Sequence, residues 1–488
     1  MSARFPVLAC LSVVLIGCCV ASAAVIRGVV AEGETLYPEG WLLQSVLAVR
    51  DGHDLYRDYR NYPFIIALYP PAYYYVVGIG ARLAQLDVAA TLILARTLSA
   101  AAAATSCACV VWLARRCGAS PLGALVAGGL LFSSFAMQPW SYTARPDALA
   151  LAFSLAGLWI GLTRDSLRWT ATASVLLSLA FMTKQTHIGA ISALMIVMLQ
   201  RRQWKLAAVG SVTWIVCVLS VVLTLELSTR GLFLANVIGA NGVPYQADLI
   251  GFYTFYVSKY SALLIGLAVL GWFRMSSPSM VDDGVKLYLV ISSLIALVAL
   301  GKVGAGNNQV LEATAAGAVL AGRGYDRCAV LFSRFPIRRF RMSVVVLAAT
   351  AYVAAAGDLQ INYLAKEAFF APWSTQTSDD LVSRLKTEPG DVLTQQNPLS
   401  VLRAGKTPVL ADPYGLAVLS ESDRWDPTPL QTLIDQHSFS LIVLEAPADE
   451  EVTLSGYPWW PRGVRERIEA NYQFAGRLGS HYLYTPRP

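Results

Sequence analysis

Long apolar runs recur through the first 358 residues of this chain and decide what it can fold into. Runs of about 18 residues or more can cross the hydrocarbon core of a bilayer as helices. The chain is 55% hydrophobic and only 14% charged, which leaves too few charged residues for a water-soluble surface. The sequence therefore predicts an α-helical polytopic membrane protein.

We predict eleven membrane-spanning helices from these runs. Their approximate ranges are 6–30, 90–114, 121–138, 147–163, 167–183, 187–200, 206–228, 256–273, 284–301, 309–322 and 342–357. The segment 70–83 is apolar over only about 14 residues, which is typical of a re-entrant or interfacial helix. The N-terminus has features of a signal peptide, and LIGC at 15–18 is similar to a lipoprotein processing site. Because the apolar run continues to residue 30, we expect an uncleaved first helix.

Arginine and lysine placement predicts the orientation of these helices. If the segment 70–83 does not cross, the basic loops near residues 115, 164, 201, 274 and 323–341 all fall on one side. The positive-inside bias makes that side cytoplasmic. We therefore expect a multi-pass protein of the cytoplasmic (inner) membrane, with its N-terminus inside and its C-terminus outside. The net charge of +6 then reflects orientation and not nucleic-acid binding.

The loops predicted on the outer face carry polar residues suited to chemistry. Acids follow the first helix in the loop 31–89, and Asp147 begins a helix directly after Pro146, where the helix dipole favours a negative charge. Amides and cations at helix ends suit an anionic phosphate group. The outer-face candidates are Glu32, Glu34, Glu39, Asp147, Lys184, Gln185, His187, Lys302, Asn307 and Asn308.

The composition changes after residue 358. Residues 359–488 have normal polarity, with short apolar bursts between helical stretches, which predicts a small extracytoplasmic α/β domain. The first 358 residues would form the transmembrane catalytic domain. The C-terminal domain lacks a glycine-rich phosphate motif, so we expect a structural or acceptor-docking role for it.

Several motifs in residues 32–75 resemble one known family. An acid shortly after the first helix, the pattern G-x-x-LY-x-D from Gly52, and YPPAYYY at 69–75 are similar to membrane glycosyltransferases of the GT-C fold. The resemblance continues at Arg145 and Asp147. It favours the branch of aminoarabinose transferases and protein-mannosyltransferase-like enzymes, covers the membrane half, and says little about the C-terminal domain.

The resemblance implies a reaction. Such enzymes move a sugar from a polyprenyl-phosphate carrier to a lipid, glycan or protein acceptor, with inversion, and an acid of the first outer loop acts as general base. The family acid is often an Asp, or an Asp-Glu pair, about a dozen residues before the glycine. Here Glu39 stands 13 residues before Gly52, with Glu34 as the next candidate and Glu32 behind it.

The residues themselves are consistent with that chemistry. A departing phosphate needs positive charge or hydrogen-bond donors, and the acceptor hydroxyl needs a carboxylate within about 3 Å. We expect Glu39 to be the base, ahead of Glu34, and Asp147 to orient the acceptor or hold a cation. The sequence does not determine whether Mg²⁺ or Mn²⁺ is required. Candidate substrate-binding residues are Lys184, His187, Lys302, Asn308, Tyr69 and Tyr74, with Tyr73 and Tyr75 beside them.

Simpler explanations exist for each feature. The acids could be solvated loop charges or a helix-start acid, Lys184 a snorkelling residue, His187 a lone histidine, and the tyrosines an interfacial belt. A transporter or lipid flippase is another class, but transporters tend to show matching halves and mid-membrane charges. A non-catalytic envelope-assembly protein with the same fold is a third alternative.

Overall fold

The computed structural model describes residues 5–36, 39–273, 279–334, 340–366, 375–410 and 412–488. The described residues up to 366 are almost entirely helical. The helices are α1 Phe5–Val30, α2 Glu39–Arg50, α3 Ala72–Leu83, α4 Val88–Arg116, α5 Pro121–Phe132, α6 Asp147–Thr163, α7 Leu167–Thr183, α8 Gly189–Gln200, α9 Trp204–Ser228, α10 Leu232–Leu234, α11 Ala247–Tyr260, α12 Ala262–Trp272, α13 Met280–Leu300, α14 Leu311–Arg334 and α15 Phe340–Ala365.

Apolar helices long enough to cross a membrane confirm a multi-pass membrane protein. Within the described ranges, four helices meet the length and composition needed, namely α1, α4, α9 and α13. The helix α3 has 12 residues. At 1.5 Å per residue it spans about 18 Å, well short of the ~30 Å hydrocarbon core. The helix α3 alone is thus too short for a straight crossing, while the interfacial placement of the segment 70–83 and the count of eleven crossings stay predictions.

Two predicted spans differ from the observed helices. The run 256–273 is not one straight helix, because α11 and α12 meet at an angle of 82°. The bend lies at Ser261, between the two helices, where the backbone leaves the helical conformation (φ −111°, ψ 15°). The run 121–138 is also broken, since α5 ends at Phe132 and a short 3₁₀ turn follows at Gln138–Ser141.

Charged contacts near the helix ends fall into two sets. In one, Arg323 of α14 donates to Asp282 at 2.6 Å and Arg201, just after α8, donates to Asp283 at 2.5 Å. In the other, Lys184 contacts Asp147 at 2.5 Å. Two of the predicted basic residues, Arg201 and Arg323, thus meet adjacent acids at the start of α13. Which end faces the cytoplasm stays a prediction.

The C-terminal residues form a four-stranded sheet with helices beside it. The strand order is β1-β2-β6-β5, with β1 and β2 parallel and the other neighbours antiparallel. The strands are β1 Asp391–Thr394, β2 Phe439–Leu444, β3 Thr453–Leu454, β4 Tyr457–Pro458, β5 Tyr472–Leu478 and β6 His481–Pro486, where β3 and β4 form a separate hairpin. The helices are α16 Thr375–Lys386, α17 Pro398–Arg403, α18 Pro413–Glu421, α19 Thr428–Asp435 and α20 Val464–Asn471.

The first loop shares a hydrophobic core with this sheet. Phe64 is fully buried and pairs by its backbone with Val409, from N to O at 2.9 Å. Its ring meets Trp425 edge-on at 5.6 Å, and the Trp425 indole donates to the carbonyl of Tyr59 at 3.2 Å. The extended first loop therefore packs against the C-terminal part, which removes the apolar side chains of the loop from water.

Replacing Trp425 with alanine tests this shared core. Removal of a buried tryptophan costs about 3–5 kcal/mol. We expect Trp425→Ala to lower the thermal unfolding temperature and to open both the first loop and the C-terminal part to limited proteolysis. Phe474→Ala is the matched control, since Phe474 is 56% exposed. Cleavage confined to the C-terminal part would contradict a shared core.

Candidate active site

The Asp147 carboxylate gathers residues from three loops. Pro146 precedes α6, so Asp147 is its first residue, and its side chain is fully buried. Its Oδ1 accepts hydrogen bonds from Lys184 Nζ at 2.5 Å and Asn308 Nδ2 at 2.8 Å, and its Oδ2 accepts from Arg145 Nε at 3.1 Å. The structure thus brings together three sequence-predicted residues, and adds Arg145.

This cluster holds two cations against one carboxylate. Lys184 is 2% exposed and Arg145 6% exposed, so water does not screen their charges well. A buried charge without full compensation is costly, and an incoming anion would reduce that cost. A lysine, a guanidinium and an amide around one point form the donor set that binds a phosphate group.

Arg145 also connects the cluster to the first loop. Its Nη2 donates to the hydroxyl of Tyr69 at 2.6 Å, and its guanidinium lies 4.9 Å from the ring centroid of Trp140. Cation–π contact of this kind fixes a guanidinium in place. Tyr69, predicted to bind substrate, therefore reaches the cluster through Arg145, while Tyr74 packs in an apolar cluster with α2.

Four buried polar atoms in or beside this cluster lack a hydrogen-bond partner among the described residues. They are Tyr73 Oη, Trp140 Nε1, Gln185 Oε1 and Asn308 Oδ1. An unmade hydrogen bond at a buried polar atom costs about 1–3 kcal/mol. Such atoms are typical of a place where a polar ligand or ordered water completes the bonding.

His187 belongs to a neighbouring cluster and not to the Asp147 contacts. Its Nδ1 lies 3.1 Å from Ser154 Oγ and 3.6 Å from Glu312 Oε1. Glu312 also accepts from the Tyr288 hydroxyl at 3.2 Å and from the Gly189 amide at 3.3 Å. Glu312, which the sequence analysis did not single out, therefore ties α14 to the start of α8, just after the turn that carries Lys184.

A divalent cation finds little support in these contacts. No group of three or more His, Cys, Asp or Glu that could hold a metal occurs among the residues described. Both oxygens of Asp147 already face cations, which repel a metal ion. The sequence left a requirement for Mg²⁺ or Mn²⁺ open, and the residues around Asp147 do not fit such an ion.

Glu39 forms a buried ion pair with Arg96. The Oε2–Nη2 distance is 2.6 Å and both side chains are fully buried. Its carboxylate also accepts from the Ala144 amide at 2.7 Å and the Thr35 amide at 3.0 Å. Burial alone would raise the pKa of Glu39, but the charge of Arg96 and these hydrogen bonds lower it. Both oxygens are engaged, so this geometry disfavours Glu39 as the base.

The pair instead fastens the first loop. Arg96 Nη2 donates to the carbonyl of Gly33 at 2.8 Å as well as to Glu39. Because Glu39 also holds Ala144, the loop lies against the segment that leads to Asp147. Sequence analysis missed Arg96, although an arginine within an apolar run is itself a signal of a buried partner.

Glu34 is the first-loop acid with the properties of a base. It is half-buried, and its Oε1 accepts from the Leu399 amide at 2.9 Å, at the start of α17. Burial raises the pKa of Glu34 to about 8, against the lowering effect of the Leu399 hydrogen bond. Glu32 is exposed and lies 3.4 Å from Arg403. Of these two, Glu34 alone combines partial access with a raised pKa.

Lys302 lies outside the Asp147 contacts. It sits in the turn between α13 and the 3₁₀ turn Asn307–Val310, where its backbone bridges to Tyr245. Burial lowers the pKa of Lys302. Neither Lys302 nor Tyr74 contacts Asp147, so their predicted substrate-binding roles stay predictions without direct geometric support.

Comparison with known proteins rests on the fold. No protein-family profile and no curated protein sequence matches the chain. ArnT from Cupriavidus metallidurans, solved bound to undecaprenyl phosphate, matches with a TM-score of 0.62 over 96% of this chain and 97% of ArnT, at 14% identity. Its apo structure matches with a TM-score of 0.63 at 13% identity. The chain has the GT-C fold.

A second protein supports the same GT-C assignment. The archaeal oligosaccharyltransferase AglB from Archaeoglobus fulgidus, in complex with an inhibitory peptide and a dolichol-phosphate, matches with a TM-score of 0.58. The match covers 98% of this chain and 74% of AglB at 12% identity. The GT-C resemblance noted at residues 32–75 is thus confirmed at the level of the fold.

Charge balance in the cluster predicts a non-additive stability effect. Asp147→Asn leaves Lys184 and Arg145 buried without a counter-charge, which costs about 3–5 kcal/mol. We expect a marked fall in the thermal unfolding temperature for Asp147→Asn, and partial recovery in the Asp147→Asn/Lys184→Met double variant. Exposed Asp165→Asn is the matched control. Simple addition of the two single effects would contradict coupling.

Proposed function

We propose that the protein is an inverting glycosyltransferase that uses a polyprenyl-phosphate-linked sugar. The acceptor would be an envelope lipid, glycan or protein at the outer face of the cytoplasmic membrane. One observation carries the proposal: a buried, cation-rich cluster around Asp147 in a GT-C fold. ArnT was solved with undecaprenyl phosphate and AglB with a dolichol-phosphate, so carriers of this class bind two proteins of similar fold.

The cluster supplies what the leaving group needs. The bond between the anomeric carbon and the phosphate oxygen breaks, and the phosphate leaves with the electron pair. Lys184, Arg145 and the amide of Asn308 would stabilise the charge that develops on that oxygen. Asp147 would then hold these donors in place, acting on the reaction through them.

The acceptor's proton needs a separate base. As the acceptor oxygen bonds to the anomeric carbon, its proton passes to a carboxylate. We assign this role to Glu34, because its pKa of about 8 makes it a stronger base than an ordinary carboxylate. Glu34 interacts electrostatically with Glu39, which in turn binds Ala144 three residues before Asp147. Base and phosphate donors thus belong to one connected region.

An apolar groove beside the cluster suits the carrier's chain. It has a volume of about 420 Å³ and lies between α11, α12, α13 and α14. Val310, which lines the groove, is two residues after Asn308. A prenyl chain buried there would place its phosphate at the cluster. The residues lining the groove include Val257, Leu264, Ile265, Leu297, Val310 and Ala313.

Substitution of Glu34 tests the base. We expect Glu34→Gln to reduce transfer at least about 100-fold, the usual contribution of a general base. Because the base acts when deprotonated, the wild-type rate should rise with pH through about 8, and this rise should be absent in Glu34→Gln. The measurement is transfer of radiolabelled sugar from polyprenyl-phosphate donors by purified protein, with exposed Glu32→Gln as the control.

Two results would contradict different parts of this account. Full activity in Glu34→Gln would remove Glu34 as the base while leaving the transferase proposal intact. No transfer by the wild-type protein from any of a panel of polyprenyl-phosphate sugars, and no stabilisation by them, would remove the transferase proposal itself.

Filling the groove tests the site of the carrier chain. Leu297 lines the groove, whereas Leu294 on the same helix does not. We expect Leu297→Trp to raise the KM for a long-chain donor about tenfold, equivalent to about 1.4 kcal/mol. Leu294→Trp, at a residue that is 58% exposed, should leave it unchanged. Equal effects of the two variants would exclude this groove.

A further inference from the structure

A second cavity lies in the C-terminal part, at the carboxyl ends of its two parallel strands. Gln395 directly follows β1 and Ala446 comes two residues after β2, and both line the cavity. The remaining wall comes from Glu421 at the end of α18, from residues 447–452 after β2, from the segment after β4 and from the start of α20. In open α/β sheets, ligands bind in the crevice outside the carboxyl ends of parallel strands.

The cavity has the size of one six-membered ring. Its volume is about 130 Å³. For comparison, a cavity of about 150 Å³ in another protein binds benzene. Because a pyranose is larger than benzene, the cavity can seat at most one sugar unit of a larger molecule, with part of that unit outside it.

The lining combines flat aromatic surface with planar polar groups. Trp459 and Trp460 stand beside Gln395, Arg462 and Arg465. A pyranose presents an apolar face of C–H bonds, which packs on an indole ring, and a rim of hydroxyls that both donate and accept. Guanidinium and amide N–H groups donate to such hydroxyls, and carboxylates accept from them.

One donor in this wall has no partner. Arg465 Nη1 is buried and makes no hydrogen bond to any residue that the structure describes. Arg462, by contrast, already donates to Glu421 at 3.5 Å and to Asp423 at 3.4 Å. The open donor of Arg465 at the wall of the cavity indicates that a ligand with acceptor groups completes the bonding.

The charge of the lining disfavours an anionic ligand. Four glutamates face two arginines, which makes the cavity negative overall. A phosphate or a uronic acid would be repelled, so the cavity does not suit the carrier phosphate. The glutamates are Glu421, Glu450, Glu451 and Glu466.

The cavity is connected to the loops of the outer rim. Trp459 packs against Tyr414 with ring centroids 5.4 Å apart. Tyr414 belongs to an apolar cluster with Val303, the residue after Lys302. The amide of Gln246 also donates to the carbonyl of Ser455 at 3.2 Å. The sheet thus presents this cavity near the loops 243–249 and 301–306.

We propose that this cavity binds one neutral sugar unit of a glycan-bearing acceptor. The acceptor role rests on the proposed transferase function, whereas sugar binding itself does not. A sugar held here would tether the acceptor beside the membrane face on which transfer takes place, and would raise the effective concentration of its reacting hydroxyl.

Binding to the full-length protein in lipid nanodiscs tests the proposal without any donor. The probes are two neutral trisaccharides, chitotriose and maltotriose, with trigalacturonic acid and trilysine for comparison. We expect a neutral trisaccharide to bind, measured by calorimetry and by saturation-transfer NMR. Arg465→Gln and Glu450→Gln should each weaken it at least fivefold. Exposed Arg477→Gln, on β5 and outside the cavity, should leave it unchanged.

The outcomes separate this cavity from the transferase proposal. Sugar binding without any transfer would leave the cavity assigned and remove the transferase function. Transfer without neutral-sugar binding would remove the cavity, as would tighter binding of trigalacturonic acid or trilysine. If Arg465→Gln does not fold, Glu450→Gln decides, because Glu450 is exposed and is not part of the packed interior.

Discussion

A buried carboxylate is expensive unless cations and hydrogen-bond donors surround it, and Asp147 meets that requirement with groups from three loops. Arg145 comes from the segment before α6, Lys184 from the end of α7, and Asn308 from the turn before α14. Because the interior has a low dielectric constant, each of these contacts is strong. The start of α6, the end of α7 and the start of α14 must therefore lie at one level, and the proposed phosphate site lies at that level.

The first loop depends on a second buried charge pair. Glu39 and Arg96 neutralise each other, and Arg96 also binds backbone carbonyls of the loop. The sequence places two candidate acids close together in this loop, and the structure gives them different surroundings. Glu39 fastens the loop against Ala144, while Glu34 keeps partial access and a raised pKa. A carboxylate whose two oxygens already accept hydrogen bonds holds the loop in place but is a poor base, because its lone pairs are occupied.

Parts of this architecture follow from sequence because they depend on local pattern. Apolar runs predict the helices, and arginine placement predicts which of their ends lie on the same side. The polar residues Asp147, Lys184 and Asn308 are all predicted on the opposite side, and the structure brings them together. The ion pair of Arg96 depends on tertiary contact, so hydropathy alone counted it as part of a span. The bend between α11 and α12 was missed for the same reason. Composition reports how apolar a segment is, and packing decides where it turns and with which strand it pairs.

Affinity for the carrier's phosphate tests the central claim most directly. Undecaprenyl phosphate and undecaprenol share one apolar chain and differ in the charged group, so comparing their binding to the purified protein isolates the contribution of the cluster. The account predicts that undecaprenyl phosphate binds at least tenfold more tightly, and that Lys184→Met removes most of this preference. Equal affinity for the two lipids in the wild-type protein would contradict it.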